Sequence, residues 1–78
     1  MRQSVHLYAV EFNRCDAEDD FGDVILLGDR VRVVYPIRNP RYRKDVSSQR
    51  RWAEALQRRL LTYPNSQPEI TKVANPDA

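Results

Sequence analysis

The sequence predicts a small α+β domain: a three- or four-stranded, mostly antiparallel sheet with one amphipathic helix packed on one face. Three observations predict it. The stretch "DVILLGDRVRVVYPI" alternates as two strands around a two-residue turn. Trp52, Leu56, Leu60 and Tyr63 recur at spacings of four, four and three, which is a helical stripe. "SVHLYAVEF" is rich in β-branched and aromatic residues, as a strand should be.

That last stretch, residues 4–12, is the first strand, β1. His6, Tyr8, Val10 and Phe12 share one face and Val5, Leu7 and Ala9 the other. Both faces are partly apolar, which suits a central or doubly covered strand. "NRCDAEDDFG", residues 13–22, follows as an acidic loop. The hairpin comes next, with β2 over residues 23–27 and β3 over 30–37. Gly28-Asp29 places glycine first, the pattern of a type II′ turn. The implied register pairs Leu26 with Val31 and Val24 with Val33, on a face continued by Tyr35 and Ile37. Ile25, Leu27, Arg30 and Arg32 fall on the opposite face. Pro36 and Pro40 end the ladder.

Residues 38–46 then form a basic loop, and residues 47–63 a helix, α1, with Ser47 or Ser48 as its N-cap. Arg50, Glu54 and Arg58 make an i, i+4 ladder away from the apolar stripe. Pro64 stops the helix, and Leu61 falls on its polar side. The helix is expected to meet Val24, Leu26, Val31, Val33 and Tyr35. In the tail, "EITKVA", residues 69–74, offers a short fourth strand, β4. The domain is therefore expected to span residues 1–74, with 75–78 frayed.

With 78 residues there is room for one domain and a core near the lower size limit, so stability from dimerisation or a partner is in view. The single cysteine, Cys15, excludes an internal disulfide, and with no secretory segment it points to a reducing, cytoplasmic setting. The longest apolar run, residues 24–27, is far too short to span a bilayer. The net charge of +2 hides a partition. Residues 11–29 hold seven acids and one base; residues 30–59 hold ten bases and two acids.

Chemistry-bearing motifs fare poorly. The acidic loop lacks the glycine and glutamate that an EF-hand needs at its sixth and twelfth positions. Cys15 sits beside Asp16, which disfavours a thiolate. One histidine, His6, and one cysteine do not make a zinc site. Two glycines rule out glycine-rich phosphate loops. No enzymatic activity, cofactor or metal is expected. The ten residues from Gly28 to Ile37 resemble a strand of RelE/ParE-type toxins. In that family helices precede the strand, whereas here the helix is expected after it, so no family is assigned on that likeness.

The segment "RNPRYRKDVSSQRR", residues 38–51, carries the functional expectation. Arg38, Arg41, Arg43, Lys44, Arg50 and Arg51 lie close together, Tyr42 is interleaved, and a helix N-terminus follows. Set against this is the bland alternative, a solvated corner paired with surface acids. The reading placed first is a small non-enzymatic binding protein that modulates or inhibits a macromolecular protein partner. Phage- or mobile-element-encoded inhibitors of host machinery have this size and character, an analogy of class only. In that reading Asp16, Glu18, Asp19 and Asp20 offer a second, acidic contact. The alternative is a nucleic-acid-binding module, with the arginines on phosphates and Tyr42 stacking. A homodimer is the third possibility, and no membrane association is expected.

Overall fold

A computed structural model describes residues 5–15 and 24–78. Along the chain lie β1 (His6–Asn13), β2 (Val24–Leu27), β3 (Arg30–Val34), α1 (Val46–Leu60) and β4 (Glu69–Ala74). The strands form one antiparallel sheet in the order β2-β3-β1-β4. Helix α1 packs on one face of it, so the α+β class is as expected, and residues 69–74 do add the fourth strand. β3 and β4 both run antiparallel to β1 and hence parallel to each other, with β1 between them. Helix α1 is thus the crossover of a split β-α-β unit.

The hairpin register is the expected one: Val24 faces Val33 and Leu26 faces Val31. Gly28 adopts φ +66° while Asp29 keeps a negative φ, so only the first turn residue needs the left-handed region. That is the glycine-first arrangement of a type II′ turn. β1 is central, and side chains on both of its faces are buried: Leu7 and Ala9 on one, Val10 and Phe12 on the other.

The main core joins Val10 and Phe12 of β1, Val31 and Val33 of β3, and Ala53, Leu56 and Leu60 of α1, with Trp52, Tyr63 and Ile70 packed around them. Two residues expected under the helix are elsewhere. Val24 is 42% exposed and Leu26 62%. The reason is strand order. α1 lies over β1 and β4, and β2 is the far edge of the sheet.

The helix also starts and ends earlier than residues 47–63. Its N-cap is Asp45, whose carboxylate accepts from the Ser48 amide (3.0 Å) and the Ser48 hydroxyl (2.8 Å). Asp45 is the better cap because it carries an ionised acceptor at the positive end of the helix. Ser47 and Ser48 therefore lie inside the first turn. α1 closes at Leu61, and Tyr63 reaches the core from the following turn. Leu61 is exposed, as expected. The turn is held by the Ser66 hydroxyl, which donates to the Leu60 carbonyl (2.6 Å).

Residues 75–78, expected above as a frayed tail, make these contacts. Asn75 is buried and its amide donates to the Val5 carbonyl (2.8 Å); Asp77 pairs with Arg38. Asp16, Glu18, Asp19 and Asp20, the expected second contact, lie outside the described residues. Among the described residues no helix is long and apolar enough to cross a membrane.

This topology assigns opposite fates to two leucines. Leu56→Ala removes a buried side chain from the main core and should cost about 2–5 kcal/mol. Leu26→Ala alters an exposed edge side chain and should stay within about 0.5 kcal/mol in dilute solution. Denaturant midpoints of the two variants check the ordering, and equal losses would contradict the strand order.

Candidate functional site

The basic segment leaves the sheet at Tyr35 and is built firmly. Tyr35 is buried; its amide continues the ladder to the Tyr8 carbonyl (3.0 Å), and its hydroxyl donates to the Arg43 carbonyl. Its ring meets Trp52 and Tyr42 edge-on, at centroid distances of 5.3 and 5.6 Å. Burial, with Asp45 and Tyr42 adding to it, raises the Tyr35 pKa, so the phenol stays protonated and able to donate. Within the loop the Asn39 amide donates to the Pro36 carbonyl (3.0 Å), the Tyr42 amide to the Asn39 carbonyl (3.0 Å), and the Arg41 amide to the Asn39 side chain (3.0 Å).

A buried glutamine ties this loop to the sheet from the helix. Gln49 accepts from the Tyr8 amide at 3.2 Å and donates to the Lys44 carbonyl at 3.4 Å. Gln49, which no functional or core expectation included, is thus a structural link. The signal for it was present: Gln49 precedes Ala53, Leu56 and Leu60 at helical spacing.

The six expected cations fall into two groups. Arg38 makes a two-pronged pair with Asp77 (2.7 and 2.9 Å), and Arg43 lies 3.3 Å from Asp45. Arg41, Lys44, Arg50 and Arg51 are exposed, with no carboxylate at ion-pair distance among the described residues. The corner is therefore cationic but not uniformly so. Asp45 is held below the usual carboxylate range, first by the Ser48 hydroxyl and then by the Ser48 amide, with Arg43 adding to it. Asp77 is held down by the hydrogen bond from Arg38, and then by the charges of Arg38 and Lys44. Two ionised carboxylates sit inside the patch.

Beside the corner lies a cleft of about 600 Å³ on the sheet face opposite α1. Leu7, Ile25, Val34, Ile37 and Val73 line it, and Arg38 and Asn39 stand on its rim. Sequence reading missed it because its walls come from all four strands. The local clue was the second apolar set of the strands: Leu7, Ile25 and Leu27. The same face carries a charged end, where Arg32 pairs with Glu11 directly across the ladder (3.3 Å) and Arg30 bonds to the Asn13 side chain (2.8 Å).

Comparison with protein-family models, with curated proteins and with solved structures finds no match.

The acidic pair gives the corner a pH signature. Both folded-state pKa values lie below the ordinary 3.8. Their stabilisation is complete above that value and is lost as pH falls through the lower folded ones. The thermal midpoint should hold from neutrality down to about pH 5 and then decline. Asn still caps a helix but does not titrate in this range. Asp45→Asn combined with Asp77→Asn should therefore flatten the acid decline in a midpoint-versus-pH series. An unchanged slope would show that these carboxylates do not couple to folding.

Proposed function

We propose that the chain is a binding protein that acts by occupying the surface of a macromolecular protein partner, modulating or inhibiting it, rather than by chemistry of its own. One observation carries the reading: an apolar cleft rimmed by a rigid, mixed-charge basic corner. Protein interfaces combine an apolar centre with a polar rim, and aromatic and arginine anchors dominate their energetics. A loop held by its own hydrogen bonds loses little entropy on docking, which supports a binding role over a solvated corner.

Two features favour protein over nucleic acid. Tyr42 is only 37% exposed and its ring is already engaged with Tyr35, so it is a poor platform for stacking a base. Asp45 and Asp77 place ionised carboxylates where a phosphate backbone would lie. A partner surface bearing both signs of charge suits the same arrangement.

The test is affinity capture from a bacterial lysate divided into nuclease-treated and untreated halves, with wild type beside Arg41→Glu/Lys44→Glu. The expected result is a protein that survives nuclease and binds the variant about tenfold more weakly, near 1.4 kcal/mol. Loss of the partner with nuclease, together with a steep salt dependence, would overturn the reading and place the corner on phosphates.

A further inference from the structure

Strand β2 is an edge with four consecutive apolar side chains. Val24, Ile25, Leu26 and Leu27 are 42, 46, 62 and 38% exposed, so the strand is apolar on both faces. Its backbone is also unmatched on one side. A two-residue turn closes on a hydrogen-bonded pair, here Leu27 with Arg30. Antiparallel pairs alternate from there, so Ile25 bonds Arg32 while Val24 and Leu26 turn their N–H and C=O groups away from β3. No strand among the described residues lies beyond them. The opposite edge is different: β4 carries Glu69 and Lys72 and has α1 packed against it. Natural sheets blunt exposed edges with charge or with a covering element. β4 has both; among the described residues β2 has neither.

We infer that β2 pairs antiparallel with β2 of a second copy of this chain, making a two-fold dimer with one continuous eight-stranded sheet. The strand is self-complementary. Between Val24 and Leu27 it bears no charge, so pairing these residues with themselves sets no like charges opposite one another. A two-fold axis at Leu26 lets the outward groups of Leu26 bond those of its counterpart. It sets Val24 opposite Gly28 of the second copy, and Ile25 opposite Leu27. On each face the apolar side chains of β2 then flank those of its counterpart, and the outward backbone groups of Leu26 are matched. The small core adds a motive: chains of this length commonly need an extra source of stability, and association is one. This edge shares Ile25 with the wall of the cleft but no residue with the basic corner, so the inference stands whether or not that corner binds a partner.

Sedimentation velocity at high micromolar concentration tests it. Wild type is expected to sediment with the mass of two chains, and Leu26→Lys with the mass of one while keeping its circular dichroism spectrum. In a Cys15→Ser background, Leu26→Cys is expected to cross-link on mild oxidation. A directly opposed bonded pair has Cα atoms about 5.5 Å apart, within disulfide reach. Ile25→Cys should not cross-link, because its counterpart lies on the diagonal about 7–8 Å away. A wild-type monomer throughout, or a dimer untouched by Leu26→Lys, would overturn the proposal.

Discussion

One helix cannot cover four strands. A helix with its side chains is about 10–12 Å across, and strands lie about 4.8 Å apart. A single helix therefore shelters roughly two strands, and most of the rest of this structure follows from which two. With α1 over β1 and β4, the core gathers where Val10, Phe12, Leu56 and Leu60 meet. β3 still contributes Val31 and Val33, because it lies directly beside β1. β2 is left outside, and the face away from the helix stays open, forming the cleft. The exposed apolar surface is a geometric remainder of the fold, at the places where a partner has most to bury.

The same crossover that places the helix also builds the basic corner. The chain must travel from the end of β3 to the start of α1, and Tyr35 anchors that passage. Its backbone belongs to the sheet ladder, its ring to Trp52 on the helix, and its hydroxyl to the loop carbonyl of Arg43. Gln49 repeats the tie from the helix side. Folding and presentation of the arginines are thus one event. The loop inherits the rigidity of the core, and a lesion at Tyr35 would disorganise the cationic surface as well as weaken the domain.

What was legible in the sequence was local. The glycine-first turn and strict alternation determine the hairpin register, because a one-residue slip would invert every side chain. The two apolar faces of β1 announce a central strand. The basic segment and the exposed Leu61 were readable from composition and helical phase. Strand order was not readable, since Val24 and Leu26 have the alternation of core residues whether or not a helix lies above them. Asp45 is the one acid in a basic run, and that charge is what suits it to a helix start. The pairing of Arg38 with Asp77 spans 39 positions and rests on β4 returning beside β1, which no local pattern encodes.

In the proposed dimer the two surfaces would act together, as a consequence of symmetry. Residues directly opposite in an antiparallel pair point to the same face of the sheet. A dimer joined through β2 therefore places both helices on one side and both clefts on the other, with their basic rims at opposite ends. A partner that is itself repeated or two-fold would meet two equivalent sites at once. Simultaneous engagement raises avidity by about 10²–10⁴ without any new contact, provided that the spacing of the sites matches. A shallow cleft on a small protein, limited in the affinity it can reach alone, would then hold such a partner through geometry rather than through area.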